Sequence, residues 1–154
     1  MTIFISHKRE DSTIAGYICN ELTKLNVKAY LDVLEGNLLL EGKQLTDHIK
    51  ERINSCTDIL VVMSDRTKDS WWVPFEIGMA AQNDFPIVSY LVNKVELPDY
   101  LSYWPTLRKS SDLWKYVRAK EKTFNESTIF NKSFDNAQYY SKTEEFYKKL
   151  KSIL

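Results

Sequence analysis

Asp58-Ile59-Leu60-Val61-Val62-Met63-Ser64 carries the most continuous apolar run in the chain. Five apolar residues in succession do not alternate with polar ones, so they predict a strand buried on both faces, at the centre of a parallel sheet. Outward from it, strand and helix patterns alternate. Upstream lies a helix with Leu45, Ile49 and Ile53 on one face. Before that, residues 27–31 predict a strand that runs into Asp32 and a long connection ending at Gly42. Asp11 or Ser12 is the expected N-cap of an earlier helix, with Ile14, Tyr17, Ile18, Leu22 and Leu25 at apolar spacing and Asn26 at its end. Residues 2–6 form a first short apolar strand. Downstream, Ser70 is expected to cap a helix through Ala81. Pro74 is tolerable in its first turn because the missing N–H is not needed there. Residues 85–92 predict a fourth strand.

Strand–helix alternation repeated this often predicts an α/β, flavodoxin-like three-layer fold. Its central parallel sheet has the order 2-1-3-4, with room for a fifth edge strand, and helices cover both faces. Beyond Pro98 the pattern changes. Residues 97–105 are aromatic and broken by proline, 112–122 predict a basic helix, and 123–141 a polar loop. Residues 143–153 predict a closing helix with Phe146, Leu150 and Ile153 inward. The expectation is one domain over residues 1–154, with a motif-bearing core over 1–105 and a basic helical extension over 106–154 packed on it.

Hydrophobic residues make up 44% of the 154, enough for a real core, which excludes wholesale disorder. The formal net charge is zero, which disfavours a uniformly basic nucleic-acid binder. That zero is the sum of two opposed parts: residues 1–105 carry 10 basic and 15 acidic side chains, residues 106–154 carry 11 and 6. Cys19 and Cys56 are too few for a disulfide framework and suit free thiols in a reducing compartment. The N-terminus has no basic-then-apolar signal layout, and no apolar run approaches the ~20 residues that span a bilayer. A cytoplasmic protein with no membrane and no nucleic-acid partner is expected.

Common catalytic sites are missing. His7 and His48 are the only histidines and no cysteine pair has ligand spacing, so no metal is expected. Between Gly36 and Gly42 stand five residues where a phosphate loop has four, and Gln44 replaces its magnesium-binding hydroxyl. In an open parallel sheet, ligands bind beyond the carboxyl ends of the strands where strand order reverses. The loops Ser6-His7-Lys8-Arg9-Glu10-Asp11 and Ser64-Asp65-Arg66-Thr67-Lys68-Asp69-Ser70 converge there, each before a helix N-terminus. The following helix holds the sharpest signal. Trp72, Val73, Glu76, Ile77 and Ala80 share a face, four of them apolar and one acidic. A carboxylate in an apolar stripe costs free energy unless it is paired or opens into a pocket. Glu76 is therefore either a reactive acid or an ordinary early-turn complement to the helix dipole.

Ile3-Phe4-Ile5-Ser6-His7, Tyr30-Leu31-Asp32 with its loop to Gly42, and Trp72-x-x-x-Glu76 together resemble a TIR (Toll/interleukin-1 receptor and resistance protein) domain. Leu97-Pro98-Asp99-Tyr100-Leu101 and the helix after it are similar to stand-alone bacterial TIR proteins of Thoeris-type antiphage systems. The resemblance implies cleavage of NAD+ at the nicotinamide–ribose bond, with Glu76 essential. It implies that Ser6, His7, Lys8 and Arg9 line the nucleotide site, with Asp32 beside them and Trp72 near the nicotinamide. It also implies that the loop with Leu38, Leu39, Leu40 and Gly42 covers the site and mediates TIR–TIR contacts. Leu38-Leu39-Leu40 replaces the proline-containing consensus of signalling adaptors, which suggests burial against a neighbouring subunit. NAD+ would be the substrate, with no cofactor, and a separate effector would read the product.

The chemistry agrees with this. Loss of nicotinamide passes through an oxocarbenium-like state that a carboxylate can stabilise. Lys8 and Arg9 are suited to a pyrophosphate. An NAD+ glycohydrolase or ADP-ribosyl cyclase is the first expectation. A non-catalytic adaptor and a nucleoside deoxyribosyltransferase-like enzyme are the alternatives. Cyclisation needs a dry, folded pocket, and Tyr100, Tyr103, Trp104, Trp114 and Tyr116 are candidates either for its wall or for core packing.

Overall fold

The computed structural model of the chain describes residues 1–31, 42–130 and 136–154, leaving out the side chains of Lys68, 125–130 and 136–141. Five parallel strands, β1 (Thr2–Ser6), β2 (Lys28–Leu31), β3 (Asp58–Met63), β4 (Ile87–Leu91) and β5 (Thr106–Leu107), form one sheet in the order β2-β1-β3-β4-β5. Order, direction and the fifth edge strand match the sequence expectation. Every residue of β3 is buried, because helices cover both faces of the sheet and leave its central strand no solvent side.

Side-chain alternation divides the core in two. Ile3, Ile5, Leu60 and Val62 face α1 (Ser12–Lys24), α5 (Ser110–Phe130) and α6 (Asn136–Ile153). Phe4, Ile59, Val61 and Met63 face α2 (Gly42–Asn54) and α3 (Trp72–Gln82), together with Leu101 of the single-turn α4 (Asp99–Ser102). The basic C-terminal segment thus supplies most of one outer layer. Among the described residues no helix is long and apolar enough to cross a membrane.

Local expectations fared unevenly. Asn26 ends α1 with φ 59°, and the amides of Asn26 and Val27 donate to the Thr23 and Leu22 carbonyls, a paired closure that satisfies two orphan acceptors. Ser70 Oγ accepts the Val73 N–H at 3.2 Å and caps the first turn of α3. The cap expected of Asp11 or Ser12 is not made. Ser12 Oγ donates to the Arg9 carbonyl at 2.5 Å, and the Asp11 carboxylate points across to the β3 loop. Much of the loop expected over 123–141 is helix, since α5 runs to Phe130 and α6 starts at Asn136. No glycine or proline occurs after Pro105 to stop a helix once the packed segment has nucleated it. Thr123 Oγ1 meanwhile bonds the Ala119 carbonyl one turn back. Ile153, expected inward, is 47% exposed: it lies past the buried Phe146, Tyr147 and Leu150, in the last residues of α6.

This core is expected to make the fold sensitive to alkali. Burial raises the pKa of the Tyr116 and Tyr147 phenols and, less strongly, of Tyr90, Cys19 and Cys56. The unfolded chain releases these protons first, so stability is complete below their ordinary values and is lost as pH rises through the folded ones. Lys120 has its pKa lowered by burial and acts in the opposite sense. Urea midpoints should fall steadily from about pH 8 to about pH 10.5, and Tyr116→Phe should flatten that fall. A midpoint constant over this range would refute the expectation.

Candidate active site

The carboxyl ends of β1 and β3 lie side by side, with Ser6 in register with Val61. Strand order reverses here, because the chain returns from β2 on one side of β1 to β3 on the other, which is where open parallel sheets hold ligands. Ser6, the last residue of β1, points to the α2/α3 face of the sheet, the same face as Phe4. Val73, Glu76, Ile77 and Ala80 are the buried face of α3, while Trp72, the fifth residue of the predicted stripe, is exposed at its start. Glu76 is fully buried, and its Oε2 accepts the Ser6 hydroxyl at 2.5 Å. The one acidic residue of an apolar stripe thus stands at the switch point.

The two polar loops are stapled to each other behind this pair. Asp11, at the end of a 3₁₀ turn over Arg9–Asp11, is buried. Its Oδ2 accepts the Ser64 hydroxyl at 2.6 Å and lies 3.3 Å from Thr67 Oγ1. Thr67 Oγ1 in turn accepts the Ser64 amide at 2.9 Å, and Arg66 Nη1 donates to the Glu10 carbonyl at 3.2 Å. Hydrogen bonds to a buried charge are worth about 1.5–3 kcal/mol each, so this staple fixes the entry into α3. The sequence suggested Asp11 or Ser12 as a helix cap and placed Ser64 and Thr67 in a converging polar loop without a role for either. Their signal is Ser64-x-x-Thr67, two hydroxyls three apart on a loop that faces an acid across the switch point.

The other expected site residues are placed as follows. His7 is buried, with Nδ1 donating to the Ile5 carbonyl at 3.2 Å, which fixes its ring beside Ser6. Lys8 Nζ is 3.6 Å from Glu10 Oε1, and Arg9 is exposed. Trp72 is 36% exposed at the start of α3, edge-on to Phe75 at 5.9 Å between centroids, and Trp71 beside it is 89% exposed. Gly42 opens α2 at φ +54°, a conformation that costs glycine nothing and strains other residues. Asp32, Leu38, Leu39 and Leu40 lie outside the described residues.

Tyr103, Trp104 and Tyr116 lie away from this crevice. Tyr103, Trp104 and Tyr147 line a cavity of about 160 Å³ together with Ile87, which begins β4, at the opposite end of the sheet from Glu76. Tyr116 is core, and Trp114 is exposed under the Arg118 guanidinium. Tyr103, Trp104 and Tyr116 thus lie at the amino ends of the strands, while Tyr100 and Trp114 are exposed.

The family model of the TIR domain matches residues 3–127. The chain belongs to the TIR domain family. A putative cyclic ADP-D-ribose synthase TIR2 of Cytobacillus dafuensis is 29% identical to this TIR protein over 84 residues, 52% of the chain and 22% of the relative. The TIR protein thus matches only about a fifth of that relative's length. Among solved structures, the TIR domains of the activated Roq1 resistosome, which directly recognises the pathogen effector XopQ, align over 97% of this chain and 82% of theirs. The TM-score is 0.49 and the identity 17%.

Proposed function

We propose that this TIR protein cleaves NAD+ at the nicotinamide–ribose bond and closes the ADP-ribose into a cyclic signal. The observation that carries the proposal is the fully buried Glu76 carboxylate, held by Ser6 where the sheet reverses its order. As C1′ loses nicotinamide it becomes electron-poor, and a fixed carboxylate in a water-poor site stabilises that charge. In cyclisation, an adenine nitrogen or a ribose hydroxyl forms the new bond to C1′ and gives up a proton. In hydrolysis, water does so. Lys8 and Arg9, beside the crevice, suit the pyrophosphate, and Trp72 suits the nicotinamide ring.

The relative named as a putative cyclic ADP-D-ribose synthase supports the cyclising outcome. In this proposal the protein self-associates through TIR–TIR contacts in the cytoplasm, and a separate effector reads its product in antiphage defence.

Pure protein, assayed at high concentration so that it can assemble, should release nicotinamide from NAD+. The second product should be lighter than linear ADP-ribose by one water. Only linear ADP-ribose would sink cyclisation. Cleavage of deoxyribonucleosides with NAD+ untouched would replace the proposal with a deoxyribosyltransferase-like reaction.

A further inference from the structure

We infer that Ser6 is a positioning residue for Glu76: its hydroxyl fixes the plane of the carboxylate and keeps it ionised, without itself meeting the substrate. This rests on Glu76 being the reacting carboxylate of the proposed function. Both side chains are fully buried, and Ser6 Oγ and Glu76 Oε2 are 2.5 Å apart across 70 residues of sequence.

The donor sits on rigid backbone. Ser6 is hydrogen-bonded into the ladder opposite Val61, whereas Glu76 stands on a helix one layer away. A side chain on the sheet thus sets the orientation of one on the helix. Position 6 continues the face of Phe4, where an apolar residue would pack best. A serine there gives up apolar contact, and the use visible for its hydroxyl is the carboxylate.

Among the described side chains of this corner, four further ionisable groups have partners of their own. Asp11 is held by Ser64 and Thr67, His7 by the Ile5 carbonyl, Lys8 by Glu10, and Arg66 by the Glu10 carbonyl. Donation to the ionised form favours it over the protonated acid, so removing the hydroxyl should return Glu76 towards protonation.

The test is Ser6→Ala with Ser6→Cys, a near-isostere that keeps a weak donor. In Ser6→Ala, kcat should fall about ten- to a hundredfold, the worth of a hydrogen bond to a charged group. KM should stay within about twofold, the acid limb of the kcat profile should move to higher pH, and Ser6→Cys should fall between wild type and Ser6→Ala. A raised KM with unchanged kcat would overturn the inference and make Ser6 a substrate contact. An unmoved acid limb with unchanged kcat would overturn it outright. Titration of the ¹³C-labelled Glu76 carboxyl by NMR needs no turnover. If wild type leaves NAD+ intact, the proposed function fails, yet a Glu76 that protonates at higher pH in Ser6→Ala still supports the coupling. An unchanged titration refutes it.

Discussion

Glu76→Gln is expected to cut nicotinamide release by about a hundred- to a thousandfold or more, the scale of losing one preorganised electrostatic group, while the fold survives intact. The substitution keeps the shape of the side chain, and the Ser6 hydroxyl still has an amide oxygen to donate to. What disappears is the negative charge. In the wild type the carboxyl group is fully buried on a helix face shared with Val73, Ile77 and Ala80. Removing a carboxylate from water is costly, and the neutral amide avoids most of that cost. Glu76→Gln should therefore unfold at the wild-type temperature or a few degrees above it, as about 1 kcal/mol moves Tm by roughly 2–4 °C in a domain of this size. Opposite movements of activity and stability mark a residue retained for chemistry. Turnover within about tenfold of wild type would remove Glu76 from the reaction. A large drop in Tm would make it a structural residue.

The sequence revealed the sheet for a physical reason. Strands buried on both faces are written as unbroken apolar runs, and residues 58–64 are such a run. Glu76 was legible for the complementary reason: one acid on an apolar helical stripe stands out against its neighbours. What could not be read was which polar atoms meet across the fold. Asp11 looked like a helix cap because capping is the commonest use of an aspartate there. Its actual partners, Ser64 and Thr67, lie more than fifty residues away. The Ser6–Glu76 bond spans seventy, and no local period encodes it. The C-terminal third misled for another reason. A polar helix without glycine or proline resembles a polar loop in composition, and only its packed first turns show that it continues through 123–130.

Asp58→Ala is expected to be among the most damaging single substitutions in the protein, costing about 3–5 kcal/mol, the scale of breaking a buried ion pair from one side. Asp58 begins β3, opposite Ile3, and is fully buried. Its Oδ1 accepts the Thr57 hydroxyl at 2.7 Å, and its Oδ2 accepts the Tyr116 hydroxyl at 2.8 Å and lies 2.9 Å from Lys120 Nζ. Tyr116 and Lys120 are both on α5, so this carboxylate ties the basic C-terminal layer to the central strand of an otherwise acidic segment. Lys120 is itself buried, its ammonium 4.1 Å and 5.3 Å from the ring centroids of Phe124 and Phe146. Burial already lowers its pKa, and Asp58 is what opposes that shift. Without Asp58 the lysine must stay charged among aromatic rings or fold neutral, and both cost free energy. Lys120→Met should be far milder, because Asp58 keeps two hydroxyl donors. Asp58→Asn combined with Lys120→Met should recover most of what Asp58→Ala loses, since no buried charge is left unpaired. Urea unfolding of the three variants measures this directly, and a loss below about 1 kcal/mol in Asp58→Ala would show the pair to be dispensable. NAD+ cleavage should persist in Lys120→Met, because the cluster lies at the amino end of β3, three register positions from Ser6 and under the α5/α6 layer, whereas Glu76 is on the α2/α3 face.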